Sequence, residues 1–296
     1  MTTTDSHPVP ISNPTATTGA IGSKGHSNTD PLAVKPITPP PFEQLDQSRY
    51  AGLTDLIIVA CHAVYLGNPY DTRQIRQSEA WTLESFQHNS DVEGFLAHLG
   101  AGLDAMRANP RALLLFSGGQ THFTAGMRSE AQSYWEIAQA QQWLQAPNFW
   151  RVSTEEHAHD SFENLMFSLC RFHELTGHYP RNVTVVSYPF KQERFTRLHR
   201  AALKLPESKF HYIALPQEST PDPVKADGER ANALTLFESD PYGCTGRLYL
   251  KRQGRNPFLR SHPYRHSCPE LQPLLDYCQD SSNTAIYPDP LPWESN

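Results

Sequence analysis

Apolar runs and amphipathic stretches alternate along the chain between residues 56 and 215. Short runs of large aliphatic residues are typical of strands that are buried on both faces of a sheet. They predict five strands, at 56–60, 112–116, 149–152, 183–187 and 210–215. Apolar residues that recur every three or four positions predict helices at 91–108, 127–144, 160–176 and 190–203. This alternation predicts an α/β fold with one mainly parallel sheet and helices on both faces.

The two ends of the chain differ in composition from this middle part. Residues 1–44 are rich in Thr, Ser and Pro and hold a single aromatic residue, Phe42, so we expect a disordered, dispensable tail. Past Pro216 the periodicity fades into a Pro-rich, aromatic and basic region. We therefore expect one domain over residues 45–296, in which residues 216–296 form an irregular C-terminal extension.

Charge and cysteine content exclude several classes of protein. The chain has 25 basic and 31 acidic residues and a net charge of −6, which argues against a nucleic-acid partner because phosphate-backbone binding usually needs a basic domain. The five cysteines form no C-x-x-C pair, so we expect reduced thiols, no disulfide scaffold and no structural zinc. The longest apolar run, 56–66, is too short to span a bilayer, and the N-terminus lacks the apolar segment of a signal peptide. These features predict a soluble cytoplasmic protein with no membrane partner.

Four loops follow the carboxyl ends of the predicted strands, where ligands bind in an open parallel sheet. One of them contains Ser117-Gly118-Gly119, whose glycines let the backbone turn sharply and leave its amides free to approach a ligand. The next helix begins nearby, and its N-terminus favours an anion. The alternative is a tight turn without a ligand. The chain has no G-x-G-x-x-G and no G-x-x-x-x-G-K-S/T motif, which disfavours a standard dinucleotide fold and a P-loop.

Titratable residues in these loops are candidates for catalysis. Glu130, Glu155 and Glu163 could orient a ribose, act as acid or base, or hold a metal. The alternative for Glu163 is that it only caps the helix at 160–176. The alternative for Glu130 is that its negative charge only interacts favourably with the dipole of the helix at 127–144, near the start of that helix. His62 follows the first strand, where it could contact a ligand. Cys61 is better explained as a small buried residue than as a nucleophile, because neighbouring strand residues point to opposite faces.

The segment 247–266 carries six Lys and Arg side chains and no acidic residue. These cations could close over a phosphate, form a solvated face, or pair with the acidic body of the protein. We predict that Arg252 or Arg255 reaches the pocket. Arg255 is preferred because Asn256-Pro257 can fix the direction of the loop.

The order of several short motifs resembles the domain-of-unknown-function 218 family, whose bacterial members include the YdcF and SanA proteins. The resemblance covers about residues 54–215. The matching positions are Ser117-Gly118-Gly119-Gln120, Ser129-Glu130-Ala131, Glu155, Ser161, Glu163, Asn164, Ser187 and Arg194. Three positions depart from the family pattern: Ala158 and Lys191 stand where it usually has Ser and His, and Cys61-His62 replaces a Leu-Gly turn.

The resemblance implies a Rossmann-like domain with a nucleotide- or phosphate-type ligand, and it allows S-adenosylmethionine or a divalent metal as a cofactor. No metal-ligating residues are predicted. The predicted ligand-binding residues are Ser117, Gly118, Gly119, Gln120, Ser129, Glu130, Ser161, Asn164, Lys191, Arg194 and Arg255. Two functions stay open. One is an enzyme, such as a hydrolase or transferase, that acts on a small anionic or nucleotide-like molecule; the other is a non-catalytic ligand sensor or interaction module.

Overall fold

The computed structural model describes residues 47–85, 87, 89–144, 147–215, 227–279 and 285–294. The tail expected at residues 1–44 lies outside these ranges. The strands are, in chain order, β1 (Asp55–Ala60), β2 (Val64–Tyr65), β3 (Trp81–Thr82), β4 (Ala112–Ser117), β5 (Val152–Glu155), β6 (Asn182–Ser187) and β7 (Phe210–Ala214).

Five of these strands form one parallel sheet in the order β5-β4-β1-β6-β7. Strand β1 lies in its middle, where Leu56 is opposite Leu113 of β4 on one side and Val183 of β6 on the other. The short strands β2 and β3 pair antiparallel beside it as a separate ribbon. The predicted α/β Rossmann-like fold with a mainly parallel sheet is confirmed.

Helices cover both faces of the sheet. They are α1 (Asn89–Ala108), α2 (Glu130–Ala140), α3 (Ser161–Thr176) and α4 (Arg200–Ala202). Successive residues of β1 point to opposite faces, so Leu56 and Ile58 belong to the same apolar cluster as residues of α3. Ile57 and Val59 belong to a second cluster, with residues of α1 and α2. The continuous aliphatic run of β1 is explained by this burial on both sides.

Three elements differ from the prediction by three residues or more, or are divided. The helix predicted at 127–144 is shorter, since α2 runs from Glu130 to Ala140. The third strand of the sheet begins at Val152, because Phe149–Arg151 form a 3-10 turn instead. The guanidinium group of Arg49 lies over the rings of Phe149 and Trp150, 5.9 and 5.1 Å from their centroids. These two aromatic residues therefore pack against Arg49 outside the sheet. The helix predicted at 190–203 is divided into a 3-10 turn, a π-helix (Arg194–His199) and α4.

The C-terminal extension follows an irregular course of short helices. They are a π-helix (Arg230–Leu234), α5 (Thr235–Ser239), α6 (Gly246–Gly254), α7 (Tyr264–Ser267) and α8 (Gln272–Leu275). Buried residues of this region, such as Phe237, Tyr242 and Trp293, belong to the α3-side apolar cluster. The extension therefore completes the core on that face.

Cys244 and Cys278 form a disulfide bond across 34 residues of the extension. The expectation that all five cysteines are reduced thiols is wrong for this pair. Sequence spacing did not indicate the pair, because the short helices between the two cysteines fold back to bring them together. Cys61, Cys170 and Cys268 are free and buried. Within the described ranges, the structure has no helix that is both long and apolar enough to cross a membrane.

Candidate functional site

A cavity of about 780 Å³ opens at the carboxyl ends of β1 and β6. The strand order reverses at this point. From β1 the chain adds β4 and then β5 on one side of β1, and it then crosses to the other side of β1 to add β6 and β7. Such a reversal is where ligands bind in doubly wound sheets. Cys61 and His62 line the cavity from the end of β1, and Tyr188 and Lys191 line it from the end of β6.

The C-terminal extension supplies another wall of the cavity. Arg247, Lys251 and Arg255 all line the cavity. Their spacing of four residues places them on one face of α6 and its C-terminal end. Together with Lys191 and Arg194 they bring five basic side chains to one cavity. The sequence had indicated a basic segment here, and this spacing was the signal that could have singled out Arg247 and Lys251 beside Arg255.

Most of these cations have partners. Arg194 Nε lies 3.1 Å from Glu229 Oε1, in an ion pair that is not aligned as a hydrogen bond. Arg255 Nη2 donates to Glu84 Oε1 at 2.8 Å, and Arg247 Nη2 donates to Asn232 Oδ1 at 2.9 Å. Lys251 differs, because no described carboxylate lies within ion-pair distance of its ammonium group. The side chain of Lys251 faces the cavity. The protein around its ammonium group partly shields it from water, and this burial, together with the charges of Arg255 and Arg194, lowers its pKa to about 8.

Lys191 contacts an imidazole. Its Nζ lies 3.1 Å from His62 Nδ1, while His62 Nε2 lies 3.3 Å from Ser187 Oγ. Burial lowers the pKa of His62 well below its usual value, and the charge of Lys191 adds to this effect. Burial and the charge of Arg194 lower the pKa of Lys191 to about 7. A neutral His62 with its proton on Nε2 can donate to Ser187 and accept from Lys191, which fits both contacts.

Aromatic residues form an apolar part of the wall. Tyr188 stacks on Phe190 with ring centroids 5.0 Å apart and on His62 at the same distance. Phe195 of the π-helix after β6 and Phe237 of α5 also line the cavity. None of these four aromatic residues was among the predicted site residues. A cavity that is lined by both cations and stacked rings can bind an anion that carries a planar or apolar group.

The cavity carboxylates are engaged by neighbouring groups. Glu130 Oε1 accepts a hydrogen bond from Thr121 Oγ1 at 2.5 Å. Asp160 Oδ2 accepts from Arg252 Nη2 at 2.6 Å, so Arg252 stabilises the start of α3. Glu163 does not line the cavity: its Oε1 lies 3.0 Å from Arg252 Nε, and its Oε2 accepts from His159 N. Its position beside the helix start fits the alternative of a capping residue.

Glu155 also lies outside the cavity lining. It is 1% exposed, and its carboxyl group accepts hydrogen bonds from Ser117 Oγ, His157 N and Tyr264 Oη at 2.7, 2.8 and 3.0 Å. Burial raises its pKa to about 7. These contacts tie strand ends to the C-terminal extension and explain Glu155 as a structural carboxyl group.

The Ser117-Gly118-Gly119 turn is used for internal contacts. Gly118 N donates to Glu155 O at 3.0 Å, and Gly119 N donates to Ala158 O at 2.7 Å. The structure contradicts the expectation that these amides are free to bind an anion. A Cβ atom would lie 2.7 Å from Glu130 Oε2 at Gly118 and 2.8 Å from Ala158 O at Gly119. The glycines are needed because the chain packs closely here, as in the alternative of a plain turn.

The predicted site residues therefore separate into two groups. Those that line the cavity are His62, Glu130, Ser161, Asn164, Lys191, Arg194 and Arg255. Those that support the strand ends outside its lining are Ser117, Gly118, Gly119, Gln120, Ser129, Glu155 and Glu163. Ser129 is the N-cap of α2 and accepts from Gln132 N, and Gln120 Nε2 donates to Met127 O.

Potential metal ligands are dispersed over the described part of the chain. There the structure brings together no group of three or more His, Cys, Asp or Glu side chains that could hold a metal ion. His159 Nδ1 lies 3.0 Å from Glu163 Oε2, so this imidazole contacts a single carboxylate. The side chains of the described residues therefore do not fit a divalent metal.

Comparison with known proteins finds a similar chain in yeast. No protein-family model matches this sequence, and no solved structure matches it. The chain is 28% identical over 281 residues to the Saccharomyces cerevisiae protein YOR238W, which is described as uncharacterized. The similarity covers 76% of this chain and 92% of the yeast protein, so the two chains are similar over most of their length.

Proposed function

We propose that the protein binds a small phosphate-bearing molecule in the cavity between the ends of β1 and β6. The observation that carries this proposal is the convergence of Lys191, Arg194, Lys251 and Arg255 on one concave site. Guanidinium and ammonium groups are the side chains that bind phosphate most strongly, through charge-assisted hydrogen bonds.

The electrostatics of the cavity favour an anion. The pKa of Lys191 is lowered by burial and then by Arg194, Arg255 and Lys251, while Glu229 opposes the effect. The pKa of Lys251 is lowered by burial and then by Arg255 and Arg194. The cations therefore repel one another, and a bound phosphate would relieve this repulsion.

The size and the aromatic wall favour a nucleotide-like ligand over free phosphate. Cavities for small molecules usually measure about 300–1,000 Å³, and this one falls within that range. Tyr188 and Phe190 offer stacked rings on the same side as Lys191. A nucleobase or another planar group could pack there while its phosphate contacts α6.

Carboxylates that line the cavity already accept hydrogen bonds from neighbouring residues. This favours a protein that binds its ligand and does not use a carboxylate as a catalytic acid or base. Glu130 and Asp160 already accept hydrogen bonds from Thr121 and Arg252. A ligand sensor therefore stays an alternative to a hydrolase or transferase. Membership in the domain-of-unknown-function 218 family, binding of S-adenosylmethionine and a cytoplasmic location stay predictions.

The test compares AMP with adenosine, which differ only by the phosphate group, in calorimetric titrations at two salt concentrations. We expect AMP to bind more tightly than adenosine and to lose affinity as salt rises. Lys251→Ala should weaken AMP binding by about 1.5–3 kcal/mol, the range for a hydrogen bond to a charged group. Arg260→Ala is the matched control, because Arg260 belongs to the same basic segment but does not line the cavity. Equal affinity for AMP and adenosine, or equal effects of the two variants, would contradict the proposal.

A further inference from the structure

The ammonium group of Lys191 occupies an unusual position in the cavity. Its Nζ contacts His62 Nδ1 at 3.1 Å and lies 5.8 Å from the ring centroid of Tyr188. Within the described residues no carboxylate forms an ion pair with it. A lysine whose role is only to attract an anion needs no imidazole at hydrogen-bond distance, so this contact points to chemistry at the nitrogen.

We propose that Lys191 is a nucleophile that forms an imine with the carbonyl group of an aldehyde- and phosphate-bearing ligand. The inference rests on the proposed function, since the phosphate would be held by the cations of α6 while the carbonyl group reaches Lys191. It narrows the ligand class of the cavity to molecules that carry a phosphate and an aldehyde group beside the planar group that packs on the aromatic wall.

The step balances without a cofactor. The lone pair of Lys191 Nζ attacks the carbonyl carbon, a C–N bond forms, and the π electrons of the carbonyl group move to its oxygen. His62 Nδ1 takes a proton from the new ammonium nitrogen and gives it to the oxygen, which yields a carbinolamine. Loss of water from this species then gives the imine, so amine plus aldehyde become imine plus water.

His62 is suited to this proton transfer. Its Nε2 contact with Ser187 leaves Nδ1, the atom nearest Lys191, as the acceptor. His62 is neutral at physiological pH because burial lowers its pKa, as do the charges of Lys191, His98, Arg255 and Arg194. A neutral imidazole can accept a proton, whereas an imidazolium group cannot.

The surroundings of Lys191 also favour a free amine. Burial and its charged neighbours lower its pKa to about 7. The cations among these neighbours are Arg194 on the π-helix after β6 and Lys251 and Arg255 at α6; the opposing carboxylate is Glu229. An ordinary lysine has on the order of one free amine in a thousand at pH 7. Lys251 lines the same cavity, and no imidazole of the described residues is hydrogen-bonded to it, so it serves as an internal comparison.

The experiment treats the full chain with pyridoxal 5′-phosphate, reduces any imine with borohydride, and maps the labelled lysines by mass spectrometry. The reference is Lys209, which lies outside the cavity lining in the turn before β7. We expect the label at Lys191 to exceed that at Lys209 by about tenfold or more, and to exceed that at Lys251. Labelling in proportion to the surface exposure of each lysine would overturn the inference. Because this mapping uses the unmodified chain, it does not depend on a variant that folds.

Two further probes separate this inference from the proposed function. Pyridoxine 5′-phosphate has the phosphate but no aldehyde, and pyridoxal has the aldehyde but no phosphate group. Binding of the first without labelling by the complete probe would support the phosphate site and refute the nucleophile. Labelling of Lys191 by pyridoxal as fast as by pyridoxal 5′-phosphate would support the nucleophile and refute the phosphate site.

Variants test the roles of the two residues. Lys191→Arg should abolish the adduct at this position. His62→Gln should lower the rate of adduct formation at saturating probe by about tenfold or more, as for loss of a general base. A merely structural His62 would instead change the probe concentration that gives half-saturation and leave the rate at saturation as it was, which would contradict the proton-transfer role.

Discussion

Tyr264 donates a hydrogen bond to Glu155 at 3.0 Å, across 109 residues of sequence. The contact joins α7 of the C-terminal extension to the last residue of β5. Two more donors, Ser117 Oγ and His157 N, complete the surroundings of the same carboxyl group. One buried carboxyl group thus joins two strand ends and the extension that supplies the basic wall of the cavity.

This carboxyl group should make stability depend on pH. Burial raises the pKa of Glu155 from 4.5 to about 7. Between these values the unfolded chain releases a proton that the folded chain keeps, so the free energy of unfolding should fall as pH rises from 4.5 to 7. The loss should be on the order of 3 kcal/mol. Glu155→Gln removes this ionisation, so its stability relative to the unmodified chain should increase over the same pH range, as measured by urea unfolding.

The amide at position 155 can satisfy the same neighbours. Its oxygen can accept from His157 N and Tyr264 Oη, and its nitrogen can donate to Ser117 Oγ. The control is Glu207→Gln, which removes one carboxylate from the exposed surface. If the stability difference between Glu155→Gln and the unmodified chain stays constant with pH, the buried ionisation is refuted.

The Gly118-Gly119 turn should prove to be structural. Gly119→Ala would place a Cβ atom 2.8 Å from the backbone oxygen of Ala158. Because backbone cannot move aside cheaply, we expect a loss of about 1–3 kcal/mol in chemical unfolding. Gly100→Ala is the control: the position lies in α1 with no neighbour within 4 Å, so the change should stabilise by about 0.5–1 kcal/mol. A stable Gly119→Ala protein that had lost AMP affinity would instead indicate a ligand contact at this turn.

The sheet could be predicted from sequence because its strands are buried on both faces. The uninterrupted aliphatic runs at β1 and β4 have no other common explanation. The third strand was placed too early because Phe149 and Trp150 have strand-forming side chains that instead pack against Arg49. The ribbon of β2 and β3 has two residues in each strand, too few to produce a periodic pattern.

The candidate site could be predicted only in part. Strand ends were informative, since His62 lies two residues after the end of β1 and Lys191 lies four residues after the end of β6. The basic wall depends on how the extension folds back, and no local pattern reveals that path. Gly118 and Gly119 misled the prediction because a sharp turn that packs against its own neighbours has the same sequence as one that admits a ligand.

Arg151 should be one of the most important stabilising side chains outside the cavity. Its Nη1 donates to Met106 O, Asn109 O and Ala112 O at 3.0, 2.8 and 3.0 Å, which satisfies carbonyls at the end of α1 and the start of β4. Arg151→Met should cost about 1.5–3 kcal/mol, the range for hydrogen bonds to charged groups. The control Arg111→Met should change stability by less than about 0.5 kcal/mol. That side chain is 69% exposed and lies 3.9 Å from Asp55. Equal losses in thermal unfolding would refute the capping role.

The disulfide between Cys244 and Cys278 should stabilise the wall that holds the cavity cations. Cys244 lies two residues before α6, so the bond limits how far that helix can move. Closing a loop of 34 residues stabilises by about 3–4 kcal/mol in the chain-entropy model. The double variant Cys244→Ser, Cys278→Ser should therefore lower the melting temperature by about 10 °C and weaken AMP binding.

Two measurements test whether the disulfide bond is formed and whether its loss explains the lower melting temperature of the double variant. Thiol titration of the chain unfolded without reductant should find three free thiols, those of Cys61, Cys170 and Cys268. Reductant should lower the melting temperature of the unmodified chain to that of the double variant and leave the double variant unchanged, because only one disulfide is available to reduce. Five titratable thiols, or an equal effect of reductant on both proteins, would refute the bond. The helix that carries Arg247 and Lys251 would then be held by packing alone.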